Sequence, residues 1–478
     1  MSANHRLPSL VRAGVWHVIG ALTLSGCVSA PPHPIDAHAT ALQLEAIRLD
    51  DARVGEGLRA AGKALPIPAG TWDLDSMSLV AWSLRPELAQ SRAMRDAAAA
   101  GLQSTRERPN PLISLSSEFV RNAATGTSPW TIAMAFSWLL ENPAQRSARI
   151  DQASARARTA VWQESRMVWQ VRSEVRRAWL ALSLAQLAQA QVQQEAALRK
   201  QYLELADMRV TAGAWPRPEL ERARVAALQS DLEAQQRSNE VLLARGGLAA
   251  ALGVSPAALA SMQPAVPALD ELAGLELDWN RFHDAAVINR LDLAEALSGY
   301  DEADAAWREQ LTRRYPGLTL GPGYSYDRGD HKLLMGVGAE LPVFTRYDAA
   351  ITAAAARREA AAQRFIGLQA QAFARLEEAR STVTGAREAL VLTTGIQVAQ
   401  DRAVDAARQR WQAGIVDRSV WLTAALERAT VERARLAALT RLLAAFDMLE
   451  DTVQQPVWPA SELAEKRMAR AQGEGVVK

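Results

Sequence analysis

A long segment without helix-breaking residues most constrains what this chain can fold into. Residues 144–211 contain neither proline nor glycine and consist mainly of Ala, Leu, Arg, Gln and Glu. At ~1.5 Å per residue they can form one helix on the order of 100 Å long, although helices in globular proteins have typically ~11 residues. Apolar residues recur every seventh position in two series, Val161, Val168, Val175 and Leu182, and Val171, Ala178 and Ala185. This spacing predicts a coiled-coil helix.

The long helix has a second copy further along the chain. Residues 348–413 repeat its composition and its seam. The seam residues of this copy are Leu376, Val383 and Leu390, with Ala379 and Ala386. Each long segment ends in a short turn sequence, TAGAW at residues 211–215 and QAGIV at residues 412–416, and a shorter helical segment follows. Such self-similarity indicates one structural unit used twice.

Each copy is interrupted before its long helix by a predicted β-hairpin. In RPNPLISLSSEFV (residues 108–120) and RYPGLTLGPGYSY (residues 314–326), apolar residues alternate with Ser, Thr and Gly after a proline. Proline ends the preceding helix, and alternation with a period of two predicts a strand. A further strand is predicted at residues 130–138 in the first copy and at 332–344 in the second. Each copy therefore reads helix, hairpin, long helix, tight turn, helix.

The predicted hairpins have one apolar face, which is not stable in water on its own. Two interpretations are open: a small antiparallel sheet packed on helices, or strands in contact with lipid. Aromatic residues near the strand ends favour lipid, because such residues form belts at membrane interfaces. These residues are Trp130, Trp138, Tyr324, Tyr326 and Phe344.

The number of strands then predicts an oligomer. Four strands cannot close a membrane barrel, since the smallest barrels have about eight strands, and lipid does not tolerate open strand edges. A trimer would supply twelve strands, and its long helices would form a tube below the barrel. We expect a mainly α-helical protein with a transmembrane β part, built as a trimeric twelve-stranded β-barrel continued by an α-helical barrel.

The N-terminus predicts export. A basic start precedes a short apolar run at residues 13–24, which is too short to span a bilayer and is typical of a secretory signal. The run leads into Leu24-Ser25-Gly26-Cys27. These four residues resemble a bacterial lipobox, which implies cleavage before Cys27, acylation of its thiol and, with Val28 following, sorting to the outer membrane. The alternative is that Cys27 has no role in a cleaved peptide.

The pattern divides the chain into six segments. They are a lipoprotein signal peptide (1–26), an acylated leader (27–75), a first repeat (76–263), a linker (264–279), a second repeat (280–455) and a flexible tail (456–478). The leader is expected to contain one short helix near residues 42–59. Single helices are expected at residues 76–107 and 280–313, before the hairpins.

Composition and motifs argue against several other functions. The net charge is +1, with 54 basic and 53 acidic residues, so nucleic acid is not an expected partner. The sequence has no Ser-His-Asp arrangement, phosphate-binding loop or paired-cysteine metal motif, and we expect neither an enzyme nor a metal site. Apart from the lipid on Cys27, no cofactor is expected. His331 is predicted in a surface turn, either solvated or in transient contact with a metal.

Three stretches resemble the TolC family of outer-membrane efflux channels: RPNPLISL, LGPGYSYDRGDHKLLMGVGAELPVF and RWQAGIV. RPNP and GAWPRPELERA are most similar to its CzcC-like branch, associated with heavy-metal efflux. The resemblance implies a homotrimer that passively conducts substrate to the exterior from an inner-membrane RND-type pump and a periplasmic adaptor. Divalent metal ions are the implied cargo, and organic toxins are the alternative. A periplasmic adaptor or a structural coiled-coil lipoprotein are alternatives of another class, although an adaptor has one helical hairpin per chain and this chain has two.

The resemblance also implies site residues. The turns after the long helices would meet the adaptor, and nearby acids would narrow the entrance. The predicted gate and docking residues are Gly213, Glu219, Glu221, Gly414 and Asp417. Where relatives have two aspartates after the second turn, this chain has Val420 and Thr423. The sequence therefore does not decide whether the second copy contributes a ring of acids. These acids could also simply favour the helix dipole. Glu118, Asp327 and Glu340 are predicted to face the barrel lumen, as a bias toward cations or as solvated residues.

Overall fold

The computed structural model describes residues 31–60, 71–260, 262–264, 276–288, 290–315 and 317–457. The chain divides into two units, residues 1–47 and 48–478. In the first unit, helix α1 (Ala37–Glu45) begins after Asp36, whose carboxylate accepts hydrogen bonds from two backbone N–H groups. Cys27 and the predicted signal peptide lie outside the described residues, as do residues 265–275 of the predicted linker and the predicted tail from residue 458 onward.

The second unit repeats one order of elements. In chain order it contains α2 (Ala52–Ala60), β1 (Thr71–Trp72), α3 (Leu74–Leu84), α4 (Pro86–Arg106), β2 (Leu112–Phe119), β3 (Trp130–Leu140), α5 (Pro143–Thr211), α6 (Arg217–Leu252), a 3₁₀ turn (Pro256–Leu259), β4 (Gln263–Pro264), α7 (Trp279–Ile288), α8 (Leu291–Thr312), β5 (Leu318–Asp327), β6 (Asp330–Ala339), α9 (Asp348–Gln412) and α10 (Arg418–Val453). The run α4–β2–β3–α5–α6 is followed by the equivalent run α8–β5–β6–α9–α10. The predicted order of elements within each copy is therefore confirmed.

The two long helices are confirmed: α5 has 69 residues and α9 has 65. All five seam residues predicted for α9 are buried. In α5, Val171, Val175 and Leu182 are buried, whereas Val161 and Val168 are only partly buried. The helices pack in the order α4–α5–α8–α9 beside the hairpins and α6–α5–α10–α9 toward the tight turns. Among the described helices, none is long and apolar enough to cross a membrane.

The prediction of a single helix before each β-hairpin is wrong, because the structure has two helices there. The divisions fall at Arg85 and Arg290, whose backbones are extended, with ψ of 122° and 131°. The guanidinium of Arg85 donates to the carbonyl of Ala251 at 3.2 Å, and that of Arg290 donates to the carbonyl of Thr452 at 2.6 Å. Each arginine thus satisfies a carbonyl at the C-terminal end of its copy's last helix, where helix carbonyls have no partner of their own.

The prediction of one leader helix near residues 42–59 is also wrong. The chain has one helix that ends at Glu45 and another that begins at Ala52. Asp51 stands immediately before the later helix, and its carboxylate accepts the backbone N–H of Arg53 at 2.9 Å. Aspartate favours this capping position because it satisfies an N–H group that the helix leaves free.

The two hairpins combine into one antiparallel sheet with the strand order β2-β3-β5-β6. The strands β2 and β6 are its edges. The pairing of β3 with β5 skips the pair Phe136–Pro322 and its neighbour Ser137–Gly321, where proline has no N–H to donate. Pro322 therefore weakens the junction between the two repeats at one point without ending the strand.

The second hairpin differs from the prediction at both ends. Its turn contains only Arg328 and Gly329, with φ of 56° and 121°. Asp327 therefore lies at the end of β5, and His331, predicted in a turn, lies in β6. Strand β6 ends at Ala339 rather than at residue 344, because a three-residue turn centred on Pro342 places the N–H of Val343 2.8 Å from the carbonyl of Leu341.

A buried ion cluster joins the two repeats where α5 packs against α10. Arg172, Arg176 and Glu450 are at most 1% exposed, and both arginines contact the Glu450 carboxylate, Arg176 at 2.7 Å. At the rim of the cluster, Arg176 donates to Asp447 at 2.7 Å and to Asp451 at 3.1 Å. Burial raises the pKa of Asp447 despite the adjacent arginine. The cluster fixes the position of one copy on the other, because an unpaired charge there would be costly.

We predict that Glu450→Gln destabilises the fold by about 3–5 kcal/mol, since it leaves two buried guanidinium groups without their shared carboxylate. Asp447→Asn is the matched control. It removes a carboxylate at the rim whose burial already disfavours its charge, and Arg176 keeps two other acids, so the loss should be clearly smaller than for Glu450→Gln. Denaturant midpoints measured by circular dichroism would test this. Equal shifts for the two variants would contradict a central role for Glu450.

Candidate functional site

The tight turns at the ends of the long helices have the same backbone geometry. Gly213 and Gly414 both have φ of 71°, a left-handed conformation that glycine adopts without strain. In each turn, the glycine N–H donates to the carbonyl three residues earlier, and the next N–H donates to the carbonyl five residues earlier, at 2.8–3.0 Å. This is the Schellman arrangement that ends a helix. The two predicted glycines therefore shape the turns.

Asp417 connects the second turn to the first long helix. Its carboxylate accepts the backbone N–H of Ser419 at 2.8 Å and thereby caps α10. The same carboxylate forms an ion pair with Arg209 of α5. Beside it, Arg418 donates to the amide oxygen of Gln201, also on α5, at 3.1 Å. Two polar contacts thus hold the tip of α10 against α5.

The hydrogen bond from Ser419, together with Arg209, lowers the pKa of Asp417. The folded carboxyl is therefore ionised at any pH above its ordinary pKa of about 3.9. The stabilisation from this group is present above that pH and is lost as the pH falls through the lower, folded value.

Glu219 and Glu221 lie elsewhere on the tip. Each is paired within α6, Glu219 with Arg222 at 3.1 Å and Glu221 with Arg224 at 3.4 Å. Both pairs are exposed and span three residues of one helix. The structure thus brings Asp417 into contact with α5 of the first repeat, whereas the two glutamates are paired with arginines of their own helix, α6. Val420, at the position discussed for an acidic ring, is half exposed.

An aromatic pair at the second tip was missed from the sequence. Trp411 and Trp421 stack with ring centroids 5.0 Å apart and an angle of 7° between the rings, and the guanidinium of Arg418 lies 5.8 Å from the Trp411 ring. At the first tip, Tyr202 and Trp215 lie 6.1 Å apart. The sequence contains a signal for this pair, because Trp411 and Trp421 lie on either side of the turn that joins the antiparallel helices α9 and α10.

One face of the sheet carries mostly small and polar side chains. Glu118, Thr131, Asp327 and Asp330 form one cross-strand row at the hairpin ends. Asp327 accepts hydrogen bonds from Thr131 at 3.1 Å and from Lys332 at 2.5 Å. Among the described residues, no group of three or more His, Cys, Asp or Glu side chains is arranged to hold a metal ion.

The predicted lumen residue Glu340 lies away from Glu118 and Asp327 along the sheet. Glu340 follows the last residue of β6, at the opposite end of that strand from the acidic row. Its carboxylate instead accepts a hydrogen bond from Tyr347 at 3.4 Å, just before α9 begins. Strand β6 thus ends five residues earlier than the sequence pattern predicts, and the turn at Pro342 follows Glu340.

The opposite face of the sheet is large, apolar and exposed. Leu333, Met335 and Val337 of β6 are 89%, 78% and 67% exposed, and Ile113 and Leu115 of β2 are more than 60% exposed. A continuous apolar surface of this kind indicates contact with lipid or with another protein.

Aromatic side chains lie at the turn end of this face. Phe119 and Trp130 contact edge to face at 4.9 Å. His331 lies on the same face, with its Nδ1 2.5 Å from the Tyr324 hydroxyl and its ring 5.4 Å from that of Tyr326. The prediction of His331 in a surface turn is therefore wrong.

The fold and this two-faced sheet define a class of protein, the outer-membrane channel subunit with a helical extension. The family model described as outer membrane efflux protein matches residues 80–254 and 283–451, which together form most of the chain and include both repeats. The chain therefore belongs to the outer membrane efflux protein family, whose members are channels of the outer membrane.

Solved structures share the fold. VceC from Vibrio cholerae is 18% identical with a TM-score of 0.67, and the match covers 80% of this chain and 97% of that one. CmeC from Campylobacter jejuni is 14% identical with a TM-score of 0.65, covering 93% and 97%. CusC is 16% identical with a TM-score of 0.64, covering 80% and 92%. At these identities the likeness is one of fold. No curated protein matches the sequence significantly.

We predict that the backbone amides of residues 412–421 keep a constant protection from hydrogen exchange, corrected for the intrinsic rate, between pH 7 and pH 5. At pH values below about 4, where Asp417 begins to take up a proton, this protection should decrease. The exposed ion pair is worth about 0.2–1 kcal/mol, so Asp417→Asn should lower protection at pH 7 by up to about fivefold. Asparagine retains the capping hydrogen bond, so the loss measures the contact with Arg209. Glu221→Gln is the control, because Glu221 pairs only within α6. An equal loss in the control would refute the link.

Proposed function

We propose that the protein is the outer-membrane exit duct of a tripartite efflux system and conducts its substrate passively. The observation that carries the proposal is the sheet, which has an exposed apolar face, a small polar face and two unpaired edges. Lipid would cover the apolar face, and neighbouring copies would pair with the edges. Family membership supports the same function.

The geometry of the sheet supports a trimer. Since the strands alternate in direction, β6 of one copy can pair antiparallel with β2 of the next. Such a contact joins two different surfaces and closes only as a ring. Two copies would give eight strands, whose interior is filled by side chains, whereas three copies give twelve strands and leave room for a channel. The end helices α4 and α9 follow the same order as the sheet edges, so the helices would continue the ring as a tube.

The tips of the tube would meet its partners. The turns with Gly213 and Gly414 would contact a periplasmic adaptor, which connects the duct to an inner-membrane RND-type pump. Glu219 and Glu221 offer exposed charge for that contact. Release of Asp417 from Arg209 would let the second hairpin move and widen the entrance. Acylation of Cys27 would add a lipid anchor at the outer membrane.

Divalent heavy-metal cations are the proposed cargo, and the charges on the polar face support them. The strands contribute three carboxylates to this face, from Glu118, Asp327 and Asp330, against the single ammonium group of Lys332. A ring of carboxylates favours cations in a pore. Lys332 neutralises much of Asp327, so the expected preference is moderate.

Deletion of the gene should lower tolerance to zinc, cobalt or cadmium, and the wild-type chain should restore it. Tolerance to organic toxins, measured in parallel, tests the alternative cargo. Loss of drug tolerance with unchanged metal tolerance would refute the metal proposal and keep the duct. Purified protein that remains monomeric and shows no conductance in planar bilayers would refute the duct itself.

We predict opposite changes in ion selectivity for two variants of the polar face of the sheet, at Lys332 and Asp327. Lys332→Gln frees the carboxylate of Asp327 and should raise the cation-to-anion permeability ratio, whereas Asp327→Asn should lower it. Reversal potentials in a KCl gradient would measure both. His331→Gln is the control, because it lies next to Lys332 but on the apolar face, and it should change nothing. Shifts of the same sign in the first two variants would show that this row does not face the pore.

A further inference from the structure

Helix α6 carries an apolar stripe that the single chain leaves uncovered. Val225, Leu228, Leu232 and Leu242 are 52%, 63%, 61% and 64% exposed. Their spacing of three, four and ten residues places them on one side of the helix. The hairpin partner α5 covers a different side of α6, where Ala223, Ala227 and Ser230 are buried. Four exposed aliphatic residues in one row indicate a protein partner.

The repeat shows what such a stripe packs against. A shift of 201 positions superposes Gly213 on Gly414, and it also relates the carbonyls of Ala251 and Thr452, which accept from the equivalent arginines. The same shift relates α5 to α9, since it places the buried Val175 and Leu182 on the buried Leu376 and Val383. Helix α10 is thus the counterpart of α6, and α9 is the counterpart of α5.

The counterparts of the stripe are buried within the chain. Val225, Leu228 and Leu242 correspond to Leu426, Ala429 and Leu443, all less than 9% exposed. These three lie on the side of α10 that faces α5, as shown by Arg433 on the same row, which contacts Glu195 of α5 at 3.1 Å. In the second copy, then, this side of the helix packs against a long helix of the other copy.

One pair of positions identifies the partner most directly. The counterpart of Arg433 is Leu232, and the counterpart of Glu195 is Ile396 on α9, which is 55% exposed. The ion pair between α5 and α10 thus corresponds to two exposed aliphatic residues, one on each of the outer helices α6 and α9. Both charged residues of the pair are replaced by aliphatic ones, so a contact between Leu232 and Ile396 would leave no unpaired charge.

We propose that α6 of one copy packs against α9 of a second copy and that Leu232 contacts Ile396 across this interface. The interface repeats the contact between α5 and α10, with aliphatic side chains in place of the Arg433–Glu195 pair. It rests on the proposed ring assembly and specifies how the tube closes on its tip side.

The same comparison separates these residues from other exposed aliphatic residues. Leu243 and Val391 are 76% and 71% exposed, but their counterparts Ala444 and Ala190 are also exposed within the chain. They should remain outside the interface. Leu243 and Val391 lie on the same helices as Leu232 and Ile396 and therefore serve as matched controls.

Cysteine cross-linking of the full chain tests the contact. Leu232→Cys with Ile396→Cys should form disulfide-linked dimers and trimers on oxidation, and reductant should reverse them. Either substitution alone should form none, because the contact joins two different surfaces. Leu243→Cys with Val391→Cys is the control pair, and the wild-type chain controls for Cys27, its one cysteine. Cross-linking by the control pair alone would overturn the proposal.

Charge substitution gives an independent test. Leu232→Arg or Ile396→Glu alone should lower the oligomer fraction at least about tenfold, because each puts an unpaired charge into an apolar contact. The double variant copies the Arg433–Glu195 pair and should recover most of the oligomer. Light scattering would measure the assembly, and circular dichroism would verify that each variant is folded.

The outcomes distinguish this interface from the proposed duct. A wild-type oligomer that is unaffected by both single charge variants would overturn the α6–α9 contact and leave the duct in place. A wild-type chain that is monomeric would overturn the ring and this interface together. Recovery in the double variant, with no effect of Leu243→Arg or Val391→Glu, would support the contact.

Discussion

The structure depends on one constraint: a single chain can neither pair the backbone groups at its sheet edges nor cover its apolar surface. The edges β2 and β6 present unpaired backbone groups, and the apolar face of the sheet is exposed. In water these features would promote aggregation, and in lipid the open edges would be costlier still. Both problems would end in the proposed ring, in which copies add edge to edge within a membrane. The stripe on α6 extends the same constraint to the helices, which are also incomplete in one chain.

Duplication lets the chain use one backbone for two different contacts. The turns at Gly213 and Gly414 and the arginines at the helix divisions are conformationally equivalent in the two copies. The side chains between them differ. The contact between α5 and α10 includes the ion pair of Arg433 with Glu195, whereas the counterparts Leu232 and Ile396 are aliphatic. Ion pairs with fixed geometry specify one register within the chain, and apolar contacts suit association, since they avoid desolvating charges that must first be exposed in the free subunit.

The local parts of the fold could be predicted from the sequence. The absence of proline and glycine gave the length of α5, the repeated seam gave that of α9, and alternation gave the strands and their faces. Features that depend on distant partners could not be predicted. The burial of Arg172 depends on its contact with Glu450, which lies 278 positions away in the sequence. The guanidinium of Arg85 donates to a carbonyl that lies 166 positions away in the sequence.

The candidate site shows the same limit. The turn glycines follow from local geometry, whereas the pairing of Asp417 with Arg209 needs the packing of the two hairpins. The alternation that predicts a strand continues through residue 344, whereas β6 ends at Ala339, before the turn at Pro342.

The contacts between α10 and α5 weaken toward the tip, which is what a movable entrance requires. At the far end from the tip, Glu450 is fully buried between two arginines. Midway, Arg433 contacts Glu195 and Glu233 while about one-third exposed. At the tip, Arg209 and Asp417 are 42% and 32% exposed. Breaking a buried pair costs about 3–5 kcal/mol, whereas an exposed pair contributes about 1 kcal/mol or less. A partner that binds the tip could therefore separate the hairpins there with modest binding energy, while the cluster at Glu450 keeps the two repeats together.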